Sequence, residues 1–72
     1  MNSKLSRLTA ADIIRIVQKK GFYLARQSGS HKIYKNEDGI RLTIPFHKGK
    51  ILHPKIIKSI VKDAKIDRED LL

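Results

Sequence analysis

The residues of this sequence best suited to proton-transfer chemistry are its three histidines, His31, His47 and His53. An imidazole changes charge near neutral pH, so it can accept or donate a proton during a reaction. His31 follows Gly29 and Ser30, where the glycine permits close approach of the backbone and the hydroxyl can orient an imidazole or bind a phosphate. Position alone leaves two interpretations of His31 open: a catalytic group, or a partly buried strand histidine without a chemical role.

The other two histidines stand in different surroundings. His47 is followed by Lys48 and Lys50, and His53 directly precedes Pro54, where a helix is predicted to begin. We therefore interpret His53 as the capping residue of that helix. A zinc site formed by the three histidines is an alternative, but the sequence has no His-x-x-x-His or His-Glu motif, and its high positive charge disfavours a dication. We expect neither a metal nor another cofactor.

Composition and spacing exclude several other chemistries. The sequence has no cysteine, which removes disulfides, thiolate zinc sites and a cysteine nucleophile. Its four glycines are spaced as turn residues rather than as a phosphate-binding loop. The acids of the basic region are one helix-cap residue, Asp12, and two turn residues, Glu37 and Asp38, so it offers no paired catalytic carboxylates. The chemistry that these exclusions leave is a metal-free reaction on an anionic substrate.

RNA would supply its own nucleophile for such a reaction. Its ribose 2′-hydroxyl can attack the neighbouring phosphorus once a base removes the proton, and lysines can stabilise the charge that develops on the phosphate oxygens. The overall charge agrees, since 16 Lys and Arg residues against seven Asp and Glu give a net charge of +9. This balance predicts an anionic partner, nucleic acid before others. The alternative is a highly charged surface that only keeps the protein soluble.

Two helices are predicted, one on each side of the chain's middle region. Thr9 and Asp12 form a capping-box pattern, which predicts a helix at about residues 10–20, and Gly21 ends it. The second helix is predicted to begin at Pro54. Three lysines of this helix recur at spacings of three and four residues and form a cationic ridge on its exposed side: Lys55, Lys58 and Lys62.

Three segments between the helices have the residue alternation of β-strands and are separated by glycine-containing turns: 22–27, 31–35 and 40–44. A last short turn is predicted at 68–72. The order α-β-β-β-α predicts an α+β fold in which a three-stranded antiparallel sheet packs both helices on one face.

A length of 72 residues allows a single domain, residues 1–72. No run is apolar enough for a signal peptide or a membrane span, so we expect a cytoplasmic protein without a membrane partner.

Three segments, taken in order, carry a family resemblance. They are Gly21-Phe22, the run Arg26-Gln27-Ser28-Gly29-Ser30-His31-Lys32-Ile33-Tyr34, and the run Thr43-Ile44-Pro45-Phe46-His47. Together with a second helix that ends at Ala64 and an acidic C-terminal segment, these runs give the chain a resemblance to the HicA toxin family of bacterial and archaeal toxin-antitoxin pairs. The resemblance extends from about Leu8 to Leu71. Its most specific parts are Gly-Ser-His at 29–31 and the later Pro-x-His.

The resemblance implies a fold like that of double-stranded-RNA-binding domains and the activity of a ribosome-independent mRNA interferase. Such a ribonuclease cuts mRNA and is neutralised by a cognate HicB antitoxin. The family's catalytic histidine falls on His31, with Gly29 and Ser30 beside it, and His47 matches a second histidine of the family. Where family loops often have small residues or asparagine after Pro-x-His, this chain has the basic variant Lys48-Gly49-Lys50.

This motif leads to a specific prediction for His31. It acts as general base toward the 2′-hydroxyl or as general acid toward the leaving oxygen, without a metal. Seven further residues are predicted to contact RNA: Gly29, Ser30, Lys32, Lys35, His47, Lys48 and Lys50. The antitoxin is expected to be acidic where it covers His31.

Two other classes of function stay open. A non-catalytic double-stranded-RNA-binding module has the same element order and a lysine-rich start to its second helix, which Lys55, Lys58 and Lys62 loosely resemble. Such a module needs no histidine at the first hairpin, whereas an interferase depends on it. A domain that binds only protein would have no effect on RNA.

Overall fold

The chain forms two α-helices, a three-stranded antiparallel sheet and a terminal 3₁₀ helix in a computed structural model that describes residues 7–71. The elements are α1 (Ala10–Lys19), β1 (Tyr23–Ser28), β2 (His31–Lys35), β3 (Arg41–Pro45), α2 (Pro54–Asp63) and η1 (Arg68–Leu71). The predicted α+β class and the order α-β-β-β-α are confirmed, and two of the strands lie one residue further along than predicted. Within the described range, no helix is long and apolar enough to cross a membrane.

Helix α1 begins with the predicted capping box. The Asp12 amide donates to the Thr9 hydroxyl at 3.2 Å, and the Thr9 amide donates to the Asp12 carboxylate at 2.9 Å. That backbone hydrogen bond lowers the pKa of Asp12 against the opposing effect of burial, and the nearby Arg15 guanidinium lowers it further. After the helix the chain reverses at Gly21, whose φ of +95° lies in the left-handed region that favours glycine. The sequence prediction for this helix therefore holds at both ends.

The sheet has the order β1-β2-β3, so β2 is central and β3 is an edge strand. His31 pairs with Ser28 on one side and Pro45 on the other. One face of β2 and β3 is buried at Tyr34, Leu42 and Ile44, and the helices cover it. The largest fully buried side chains come from both helices and from β3: Ile13, Val17, Ile44 and Ile57. Burial also raises the pKa of the Tyr34 hydroxyl.

Strand β1 differs from the alternation that its sequence indicates. Phe22 is buried, but it precedes the strand, and every residue of Tyr23–Ser28 is exposed. Leu24 is 48% exposed, although its position two residues after Phe22 indicated the same face. The register with β2 shifts between Leu24 and Arg26, as at a β-bulge. The bulge follows Leu24 and does not account for its exposure. Leu24 pairs with the buried Tyr34 and shares its face, but β1 is an edge strand and the helices pack mainly against β3.

Helix α2 begins at Pro54 as predicted, and His53 caps it: the Lys55 amide donates to His53 Nδ1 at 3.0 Å. The three lysines of the predicted cationic ridge are all exposed: Lys55, Lys58 and Lys62. The helix is closed by Lys65, a non-glycine residue with a φ of +55°. The following Ile66 amide donates to the Val61 carbonyl at 3.0 Å, which is the Schellman pattern of a helix end.

The final helix η1 lies where a last short turn was predicted, at 68–72. The Asp67 amide donates to the Asp70 carboxylate at 2.8 Å, which lowers the pKa of Asp70. Asp70 also pairs with Lys20 at 3.3 Å and so ties this end of the chain to the end of α1. Leu71 packs partly against the core, whereas Leu72 lies outside the described residues.

Candidate active site

His31 is the first residue of β2, and its side chain is exposed. The interpretation of His31 as a partly buried strand histidine is therefore wrong. Gly29, with a φ of +57°, makes the turn that brings the chain from β1 into β2. The Phe46 amide donates to the Ser30 carbonyl at 2.7 Å, which joins the loop after β3 to this turn. The two motifs singled out in the sequence, Gly-Ser-His and Pro-x-His, are thus linked by a backbone hydrogen bond.

A groove of about 440 Å³ runs beside β3 and α2, and His31 lines it. Residues of β3 form one wall of this groove, and residues of α2 form the other. Apolar lining residues come from both: Leu42, Pro45, Ile56 and Ile60. Charged and hydroxyl groups also come from both: Arg41, Thr43, Lys55, Ser59 and Asp63. An open groove with apolar and polar lining is the general form of a ligand site.

His47 lines a second, smaller hollow of about 250 Å³ together with Lys50 and His53. Pro45 and Ile56 line both the groove and this hollow. The two depressions are therefore neighbours, and His31 and His47 belong to adjoining parts of one surface. His53 contributes to the hollow, but its Nδ1 accepts the Lys55 amide, as its predicted capping role requires.

The lysines next to His31 in sequence do not gather around it. Lys32 follows His31 in the strand, so its side chain leaves from the opposite face, and its ammonium lies 4.2 Å from the centroid of the Phe46 ring. Lys35 is exposed at the other end of β2, about 13 Å further along at the usual strand rise. Lys48 is exposed but lines neither the groove nor the hollow.

The cations that do share the groove with His31 are Arg41 and Lys55. Sequence reasoning did not assign either residue to the site. A signal existed for each, because Arg41 alternates with apolar residues in the predicted strand 40–44 and Lys55 belongs to the cationic ridge. What the sequence pattern did not contain was the approach of α2 to β3, which brings the two residues to one groove.

Among residues 7–71, no three His, Asp or Glu side chains converge in a way that could hold a metal ion. The groove offers an imidazole, a guanidinium, an ammonium, two hydroxyls and one carboxylate. These groups can move a proton and neutralise an anion.

A small α+β domain with a net charge of +9 has the electrostatic character that is typical of nucleic-acid-binding proteins. A sequence model of the family described as HicA toxins of bacterial toxin-antitoxin systems matches residues 10–66. The chain belongs to this family, as its resemblance indicated. No curated protein matches the chain. Membership gives it the role of a toxin with a cognate antitoxin, in a family that generally consists of ribonucleases.

Proposed function

We propose that this toxin is an endoribonuclease that cuts mRNA through His31 without a metal ion. The observation that carries the proposal is the exposed imidazole at a groove that also holds Arg41 and Lys55. A general base must reach the proton that it removes, and a strand-end histidine in solvent is accessible to a ribose. The family membership supports the same activity, because it is a family of ribonuclease toxins.

In the proposed reaction, RNA provides the nucleophile. His31 takes the proton of the 2′-hydroxyl, and the oxygen forms a bond to the adjacent phosphorus while the bond from phosphorus to the 5′-oxygen breaks. The products are a 2′,3′-cyclic phosphate and a free 5′-hydroxyl, which receives a proton from an acid. If His31 is instead that acid, it protonates the leaving oxygen and water or another group accepts the first proton. Both routes balance without a metal or a cofactor.

Stabilisation of the phosphate charge is the second part of the proposal. Lys55 is the groove cation best situated for it, since it belongs to the start of α2, beside the end of β3 that pairs with His31, whereas Arg41 pairs with Lys35 at the far end and can contact a flanking phosphate. Lys50 and His47 extend the contact surface into the adjoining hollow. Further contacts to flanking phosphates are proposed for five residues of the turn, of β2 and of the loop after β3: Gly29, Ser30, Lys32, Lys35 and Lys48. These phosphate contacts position the strand rather than read its sequence.

Inhibition by a HicB-type antitoxin is proposed to act at the same surface. An inhibitor that covers the groove would remove His31 from RNA. The groove and the hollow contain more cationic than acidic side chains, so the complementary surface of the antitoxin is expected to be acidic.

The test of the proposed function uses purified toxin and end-labelled single-stranded mRNA in the presence of EDTA. Cleavage that yields cyclic-phosphate ends is the expected result. Intact mRNA together with a tight shift of duplex RNA would contradict it and favour the non-catalytic module, whose binding depends on duplex shape. Intact mRNA without any shift would leave only a protein-binding role.

A further inference from the structure

The groove beside β3 contains one carboxylate, Asp63, among its cationic residues. Asp63 is exposed and is the last residue of α2. The ion pairs of residues 7–71 are those of Arg15 with Asp12 and of Lys20 with Asp70, so Asp63 has no charged partner in that range. A groove that served only to bind phosphate would be weakened by this negative charge.

Helix stability does not account for Asp63 either. The C-terminal end of a helix carries partial negative charge from its unpaired carbonyls, and a carboxylate there is unfavourable. Asp63 occupies that end of α2, where the basic residue Lys62 is the favourable one. Asp63 is therefore a hydrogen-bond acceptor in the groove lining that helix stability does not require.

The groove has two chemically different ends. Pro45 and Ile56 line both the groove and the hollow of His47. Pro45 is also the β3 residue that pairs with His31, so the start of α2, with Lys55, lies at this end of β3. Asp63 follows Lys55 by eight residues, about 12 Å along a helix, and therefore lies toward the Arg41 end of β3. One end suits a phosphate and the other offers a carboxylate acceptor.

The lining between these ends is mixed, and its apolar side chains can contact the face of a base. Leu42 and Ile60 are buried, and Pro45 and Ile56 are half-buried, while Ser59 provides a hydroxyl. The volume of about 440 Å³ lies in the range of about 300–1,000 Å³ that small-molecule sites occupy. Proteins that bind single-stranded RNA commonly take up unstacked bases and form hydrogen bonds to their edges.

We propose that this groove is a nucleobase subsite in which Asp63 accepts a hydrogen bond from an exocyclic amino group. Cytosine, adenine and guanine have such a group. Uracil has carbonyl oxygens instead, and they stand on both sides of its one N–H and repel a carboxylate. The subsite therefore selects amino-bearing bases against uracil. The inference rests on the proposed function in one respect, that RNA is the ligand.

The experiment measures binding rather than cleavage, so that it is independent of catalysis. A His31→Ala toxin is titrated against fluorescent octamers of cytidine and of uridine, two weakly stacked pyrimidines that differ at the amino position. We expect cytidine to bind about fivefold more tightly or better, the lower range for a specific base contact. Asp63→Asn in the same background should bring the two affinities within about twofold, because an amide both donates and accepts.

A matched control separates this effect from the change in net charge. Glu69→Gln removes one exposed carboxylate from η1, outside the groove, and should leave the cytidine-to-uridine ratio unchanged. Equal affinities in the His31→Ala parent, an unchanged ratio in Asp63→Asn, or no binding of either octamer would each overturn the subsite. A failure of the proposed nuclease would appear separately, as intact mRNA in the cleavage assay with EDTA.

Discussion

At the scale of single residues, neighbours in the sequence are not neighbours in the site. Lys32 adjoins His31 along the chain but places its ammonium over the Phe46 ring, whereas Lys55 comes from another element and lines the His31 groove. A strand turns successive side chains to opposite faces, so this separation follows from the strand itself. The position of His31 at the first hairpin was predictable, and its cationic partners were not.

The groove predicts unequal roles for two lysines of α2. Lys55 and Lys58 are both exposed on the same helix, but only Lys55 lines the groove. Lys55→Ala is therefore expected to weaken RNA binding severalfold and to reduce the salt dependence of binding by about one phosphate contact. Lys58→Ala is the control, and affinities over a series of salt concentrations provide the measurement. An equal loss of RNA affinity in the two variants would contradict the assignment of Lys55 to the RNA-binding groove.

At the scale of elements, the local signals at α1 and at the start of α2 were sufficient. Thr9 with Asp12, and His53 with Lys55, define these helix starts through hydrogen bonds between residues two or three apart. Strand β1 was less predictable, because its bulge depends on how Leu24 and Arg26 pair with β2. The groove could not be predicted at all, since it depends on the packing of α2 beside β3, and alternation within an element does not encode that.

The capping box gives α1 a defined response to acid. The pKa of Asp12 is lowered in the folded protein, so its contribution to stability is present above the pKa of the unfolded chain and is lost as the pH falls through the folded value. Asp12→Asn should lower the free energy of unfolding near pH 7 by about 0.5–1 kcal/mol, a range that allows for screening of the exposed Arg15 pair.

The two proteins should converge in stability at acidic pH, where Asp12 of the parent is itself neutral. Urea denaturation at neutral pH and below pH 3 measures this difference. Asp38→Asn, a change in the exposed turn before β3, serves as the control and should have little effect. A difference for Asp12→Asn that stays constant over the whole pH range would show that the charge of Asp12 contributes nothing.

At the scale of the whole molecule, charge is distributed unevenly. Net charge is +9, yet four of the seven acids lie within residues 63–72, and most of these are in or near η1. Residues 13–36, which include His31, contain no Asp or Glu, and neither do residues 39–62, which include His47. This asymmetry was visible in the sequence and gives the region between the helices its attraction for anions.

The same asymmetry predicts how the antitoxin binds. Association with an acidic antitoxin surface should slow markedly as salt is raised from about 50 to 500 mM, because ions screen charges separated by more than the Debye length of about 10 Å at 0.1 M. Dissociation should change less. Association and dissociation rates of the purified pair at several salt concentrations test this. An association rate independent of salt would mean that apolar contacts, such as exposed Tyr23 and Leu24, direct the encounter.

The central claim is that the imidazole of His31 transfers a proton during RNA cleavage. His31→Asn keeps the size and polarity of this exposed strand residue but removes the titratable ring, so the fold should be retained. The decisive measurement is the rate of single-turnover cleavage of a labelled mRNA, with circular dichroism as the check of folding. We expect a loss of about 10²–10⁴-fold, the usual contribution of positioned proton transfer. A folded His31→Asn protein that cleaves at the parental rate would contradict the account.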